Sequence, residues 1–159
     1  MNADYLAAGG LIAQRIADRA PNIKRVAALG NLYALLDAAP AELNKQAFGL
    51  LPAAFVGFDG EVIGDSAGDE FTHIALQSWL VVLVVGNYRK ADSGEGVIEA
   101  AGPLLSQLVA ALTGWQPDGF SPLKRQPSPR PGYLAGIGFF PLTFSTALVV
   151  EGLPDEDQP

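Results

Sequence analysis

The chain has 159 residues, 49% of them apolar and 17% charged, and a net charge of −7. Those values exclude a disordered chain and fit one domain with a real core. The acidic balance gives no overall attraction for nucleic-acid phosphates, and the absence of cysteine excludes a disulfide scaffold and a thiolate zinc site and fits a reducing compartment.

The opening stretch MNADYLAAGGLIAQRIADRA has an early acid and no basic n-region, so it does not read as a signal peptide. Asp4 to Ala20 is predicted as the first helix, because Tyr5, Ala8, Ile12 and Ile16 share one face. Asn2 or Asp4 is positioned to cap it. Gly9-Gly10 weakens the helix unless something packs close to it. Pro21-Asn22 ends it.

Ile23 to Leu29 reads as a short strand, and Leu32 to Ala39 as a short helix closed by Pro40. Ala41 to Leu51 is open between a helical turn and a loop. Pro52 to Phe58 reads as a strand with its proline at the first position. Asp59-Gly60 is a turn dipeptide and Glu61-Val62-Ile63 returns, which predicts a hairpin there. Gly64 to Glu70 is a polar loop.

Phe71 to Asn87 is the central strand. Its first half alternates, and Trp79 to Val85 is apolar on both faces, as in a strand covered on both sides. That run is the longest uninterrupted apolar stretch, far short of the roughly 20 residues a membrane helix needs. Asn87 to Gly96 is a charged connection. Val97 to Thr113 is the second main helix, interrupted by Gly102-Pro103 and stopped at Gly114. Trp115 to Gly132 carries five prolines and reads as a long loop, with Trp115 at the core or its rim. Tyr133 to Phe139 and Leu142 to Glu151 are two final strands, or one strand bent at Pro141.

The order predicts an α+β fold: a mostly antiparallel sheet with the two main helices packed on one face. Residues 1–151 form a single domain and 152–159 an acidic tail. Two helices cover one face, so the other needs residues 31–51 or a neighbouring subunit. The expectation is that a partner buries part of Trp79, Val81, Leu83 and Val85.

Gly64-Asp65-Ser66-Ala67-Gly68 matches the G-x-S-x-G elbow of serine hydrolases. That elbow must turn directly into a helix, with a histidine later in the chain. Here a strand follows, and the only histidine, His73, lies seven residues beyond Ser66. The motif therefore reads as a glycine-rich hairpin loop. A lone His73 is no metal site, and the local carboxylates lack the spacing of a calcium loop. No catalytic, cofactor or metal residues are assigned, and the expectation is that the chain is not an enzyme.

Two charged patches stand out. Asp59, Glu61, Asp65, Asp69 and Glu70 hold five of the seventeen acidic residues. Lys124, Arg125 and Arg130 hold three of the ten basic ones. A head-to-tail ring contact needs two different complementary surfaces on each subunit. These two patches, with Trp79, are the candidate subunit interface; the alternative is two unrelated solvated loops.

Several stretches run in an order met elsewhere: Tyr5-Leu6, Leu11-Ile12 and Arg15-Ile16; Pro52-Ala53 and Val56; Trp79-Leu80-Val81-Val82. After them come Gly102-Pro103-Leu104-Leu105, Leu108, and Ala111-Leu112-Thr113-Gly114-Trp115-Gln116-Pro117, then Phe140-Pro141-Leu142-Thr143-Phe144. With these the chain resembles the tail terminator (tail completion) proteins of long-tailed phages and Mu-like prophages. The resemblance implies a structural virion assembly protein without cofactors. It implies a hexameric ring that caps the tail tube, stops its polymerisation and offers the surface for head–tail joining. Its partners would be the tail-tube protein and a head or neck connector protein, at the neck end of the virion tail, after assembly in the host cytoplasm. DNA would pass through the channel without sequence-specific binding, and no membrane is involved. The alternatives are another neck or minor tail protein, or a small ligand-binding domain.

Overall fold

The computed structural model describes residues 4–36, 51–64, 68, 70–86, 95–134 and 136–153. In chain order these form α1 (Ala7–Arg19), β1 (Arg25–Ala28), α2 (Leu29–Leu36), β2 (Ala53–Ile63), β3 (Thr72–Gly86), α3 (Glu95–Leu112), β4 (Lys124–Gln126), β5 (Gly132–Leu134) and β6 (Ile137–Glu151). The fold is α+β, as the sequence pattern predicts. Residues 41–50, open in the sequence between a helical turn and a loop, most of the predicted connection (87–94) and the tail residues 154–159 lie outside the described residues. Gly152 donates its N–H to the Phe71 carbonyl at 2.5 Å.

One sheet of six strands carries everything else. Its order is β1-β2-β3-β6-β4, with β5 also on the outer edge of β6. Among the described residues only β1 and β2 run parallel. The predicted central strand is β3, and β6 pairs with it antiparallel over its whole length, from Thr72 opposite Glu151 to Gly86 opposite Ile137. Fifteen residues at about 3.3 Å each make a two-strand spine roughly 50 Å long.

The two faces of β3 separate by parity. Trp79, Val81, Leu83 and Val85 join the main core with Ala8, Ile12 and Ile16 of α1 and with Leu108 and Leu112 of α3. Val82 and Val84 face the other way, into a smaller cluster with Leu32, Leu51, Phe55 and Ile137. This corrects the expectation about Trp79 to Val85. The odd-numbered side chains are buried by this chain's own two main helices, and Trp79 retains only 4% of its surface. What stays uncovered is the opposite face near the β2–β3 turn, where Val62, Ile74, Leu76 and Val149 are exposed. There Val62 pairs with Leu76, and Ile74 with Val149.

The predicted strand Tyr133 to Phe139 is divided, with β5 ending at Leu134 and pairing antiparallel with the first residues of β6, and three further local features depart from the sequence expectations. First, Asp59-Gly60 is no hairpin turn. β2 runs on to Ile63, and the register against β3 slips between Phe58 and Glu61. Gly60 has φ +90, so the dipeptide supplies the left-handed residue of a bulge. The chain reverses instead between Ile63 and Thr72.

Second, Pro141 neither bends nor ends β6. The N–H groups of Thr143 and Ala147 donate to Ser128 Oγ at 3.3 Å and Ser121 Oγ at 2.7 Å, on the outer edge. With a period of two, Pro141 turns its nitrogen to that same edge. It therefore removes no bond to β3, which is where a strand accepts proline.

Third, the predicted loop over 115–132 contains β4. Lys124, Arg125 and Gln126 have no apolar alternation to mark a strand. Their backbone pairs with the open edge of β6 opposite Ser145, Phe144 and Thr143.

The first helix begins at Ala7, three residues inside the predicted start. The N-cap is Leu6, with no side-chain cap bond; Asp4 Oδ1 accepts instead from the Leu6 N–H at 3.1 Å, one residue ahead of the helix, and Asn2 lies outside the described residues. Gly114, with φ +77, follows α3 as its stop. α3 starts at Glu95 and runs through Pro103.

Candidate assembly surfaces

The two charged patches of the sequence fall on opposite edges of the sheet. β1 covers the outer edge of β2 only from Ala53 to Val56. Beyond it, β2 is an open edge carrying Phe58, Asp59 and Glu61. Lys124 and Arg125 lie on β4, at the far edge. The register joins the two sides in one row: Phe58 opposite Trp79, Trp79 opposite Phe144, Phe144 opposite Arg125. Asp59 and Arg125 thus stand at nearly one height along the strands, with three strands' spacing between β2 and β4.

The β2 edge is fastened to α1. Trp79 stacks edge-on against Phe58 with ring centroids 5.4 Å apart. Its indole Nε1 donates to Gln77 Oε1 at 3.1 Å, and Gln77 Nε2 donates to the Tyr5 carbonyl at 2.7 Å. Gln77 is fully buried, so both of its polar atoms need these partners. The Tyr5 hydroxyl donates to Glu61 Oε2. That bond first, then desolvation and the negative charge of Glu61, raises the Tyr5 pKa above its ordinary value of 10.0.

An apolar groove of about 570 Å³ opens beside this edge, where α1 parts from the β1–α2 junction. Leu6, Gly10, Ala28, Leu29 and Phe58 line it, with Trp79 at its floor. Gly10 is open to it: a Cβ there meets nothing within 4 Å.

The β4 edge is basic and extended. The Arg125 guanidinium lies over the Phe144 ring, 5.7 Å from its centroid. Gln126 Nε2 donates to Ser145 Oγ at 2.8 Å. Residues 127–131, Pro-Ser-Pro-Arg-Pro, then run exposed between β4 and β5. Trp115 is a rim residue with Arg15 over its ring at 5.4 Å, and Arg15 Nε donates to the Ala111 carbonyl at 2.9 Å.

The structure thus brings Asp59 and Glu61 together at the bulge, and Lys124 and Arg125 on β4, with Arg130 in the exposed segment beyond. Glu70 is apart from the first pair, before the start of β3. Five strand positions, about 16 Å, separate Gln77, the partner of Glu61, from Thr72. Asp65 and Asp69 lie outside the described residues, as does Ser66. Trp79 keeps only 4% of its surface, so it supports this edge from beneath and shows itself only at the groove floor. Among the described residues no group of three or more potential ligands could hold a metal ion, and no helix is long and apolar enough to cross a membrane.

The profile of a family described as phage tail terminator protein matches residues 1–154. The chain belongs to the phage tail terminator family. A comparison with curated proteins returns no match. Among solved structures, one chain of the virion of a native gene transfer agent particle is similar at 18% identity. It covers 94% of this chain and 100% of its own length, with a TM-score of 0.48. Membership of the terminator family makes this a structural protein of tail completion. The groove was not visible in the sequence. Its one signal was Gly9-Gly10 in an otherwise good helix.

Proposed function

We propose that the chain is the tail terminator of its virion. It forms a hexameric ring that caps the last ring of tail-tube subunits and stops their polymerisation. The ring then offers the surface for the head or neck connector, at the neck end of the tail, after assembly in the host cytoplasm. DNA passes through its centre without sequence-specific binding, and the chain carries out no catalysis. The family match over residues 1–154 carries this reading.

The sheet edges support the ring. A closed ring of identical copies needs a heterologous contact, one surface against a different one. Asp59 and Glu61 on the β2 edge and Lys124 and Arg125 on the β4 edge are opposite in charge, at one height along the strands. A rotation about an axis along the strands brings them together without a slip. The net charge of −7 lets a polyanion pass without sticking.

The test is to add the purified protein to polymerising tail-tube protein. The expected result is tubes of arrested length bearing a terminal ring of six in negative stain. Tubes that grow at the same rate and length with and without it would overturn the proposal.

A further inference from the structure

We infer that the apolar groove between α1 and the β1–α2 junction receives the proline-rich segment 127–131 of a second copy of this chain. The inference rests on the ring reading above and names the surfaces that make its contact.

The segment is built to be extended before it binds. Pro127, Pro129 and Pro131 alternate with Ser128 and Arg130, and Gln126 also precedes a proline. Proline fixes its own φ, and the residue before a proline is held in the extended region. Every position from 126 to 131 is therefore restricted. The Thr143 N–H bond to Ser128 Oγ at 3.3 Å holds the segment against β6, while the three prolines and Arg130 stay exposed. Such a segment loses little chain entropy on docking, which is why extended proline-rich segments bind apolar, aromatic-edged grooves.

The groove has the matching chemistry. Its walls are Leu6, Gly10, Ala28 and Leu29, and half-exposed Phe58 closes one end. Gly10 is one of its lining residues, and a Cβ there would stand in open space, so a larger side chain at residue 10 is accommodated only at the expense of the groove. Its volume of about 570 Å³ is within the usual range for a recognition pocket.

The heights agree as well. The segment lies between Gln126, opposite Thr143, and Gly132, opposite Phe139, and so flanks residues 140–142 of β6. Across the sheet those residues align with 81–83 of β3, 54–56 of β2 and 26–28 of β1. Ala28 and Val56 line the groove. One rotation therefore seats the segment in the groove while it sets Lys124 and Arg125 against Asp59 and Glu61. The apolar contact supplies affinity and the charges fix register.

The chain has no cysteine, so introduced thiols are unique. Gly10→Cys and Pro129→Cys are made singly and together in the full chain and treated with a short bis-maleimide. The double variant is expected to give a ladder ending at the closed ring. A mixture of the two single variants should give dimers, and each single variant alone should give none.

A ring of normal mass in which the double variant stays uncross-linked would overturn this inference and leave the ring standing. Dimers from one single variant alone would mean symmetric pairing and also overturn it. A chain that stays monomeric at every concentration and on tail tubes, with no cross-link, would overturn both readings. Gly10→Leu provides a second measurement. It should leave the melting midpoint of the isolated chain unchanged or slightly raised, since a helical glycine is lost, and weaken the ring at least tenfold. A large drop in the midpoint would mean that the chain fills its own groove, and the inference would fail.

Discussion

Gly9 of α1 lies directly against the indole of Trp79: a Cβ built on it would fall 2.7 Å from Cζ3 and 2.9 Å from Cη2 of the ring. Its neighbour Gly10 has no such contact. The pair therefore separates two effects of glycine. Gly9→Ala gains helix propensity of about 1 kcal/mol but overpacks a fully buried ring, which costs typically about 1–3 kcal/mol. Gly10→Ala gains propensity and meets nothing. Urea unfolding of the monomer is expected to show Gly9→Ala destabilised and Gly10→Ala stabilised by up to about 1 kcal/mol. Equal effects at the two positions would contradict the packing described.

Gln77 bridges Trp79 to the start of α1; its bond to the indole is buried and its bond to the Tyr5 carbonyl part-buried. Gln77→Leu keeps the volume but leaves the indole N–H and the Tyr5 carbonyl without that partner. Leaving one buried polar group unpaired costs about 1–3 kcal/mol. The expected loss of stability is of that size, with faster hydrogen exchange at the first turn of α1. A variant as stable as the parent would show that neither bond matters in solution.

Tyr5 and Glu61 give a dependence on pH with a fixed sign. The bond to Glu61 raises the Tyr5 pKa above 10.0 in the folded chain. A raised pKa contributes stability that is present below the unfolded value and is lost as pH rises through the folded one. The link between α1 and the β2 edge should therefore weaken above pH 10 and be insensitive to pH around neutrality. Tyr5 is half-buried, but its bond to Glu61 is exposed to solvent, so the effect is small. Ultraviolet titration should place Tyr5 above the ordinary tyrosine range, and Glu61→Gln should bring it back toward 10. An unchanged Tyr5 titration in Glu61→Gln would refute the assignment.

How much of this was legible in the sequence depended on whether a feature was periodic. The spine was legible: Trp79 to Val85 is apolar on both faces because core lies on both faces. α1 was legible from Ala8, Ile12 and Ile16. The Asp59-Gly60 bulge was not, since a turn and a bulge ask the same positive φ of glycine, and only the partner strand distinguishes them. β4 was not, because Lys124-Arg125-Gln126 forms a strand through its partner's open edge, without any pattern of its own. The charged residues stand out in the sequence, but local sequence could not say that β3 and β6 separate Asp59 and Glu61 from Lys124 and Arg125 onto opposite edges. The groove was invisible because it is made by three separate stretches meeting where β1 ends.

Those opposite edges give the last prediction. In the proposed ring, Lys124→Glu with Arg125→Glu would place acid against Asp59 and Glu61 of the neighbour. Arg125 also covers the Phe144 ring in its own chain, so the variant's melting midpoint should be compared first; surface changes of this kind usually stay within about 0.5 kcal/mol. Each exposed pair is worth about 0.2–1 kcal/mol, and reversing a charge replaces attraction by repulsion. Weakening of the ring by on the order of 10- to 100-fold, or about 1.4–2.8 kcal/mol, is expected. Light scattering across a dilution series measures it. The parent ring should also loosen with salt as the charges are screened beyond about 8 Å at physiological ionic strength, and the reversed variant should instead tighten. Restoring the ring by adding Asp59→Lys and Glu61→Lys to the reversed chain would tie the effect to these four residues. An oligomer that ignores the reversal and the salt would show that the two edges do not meet.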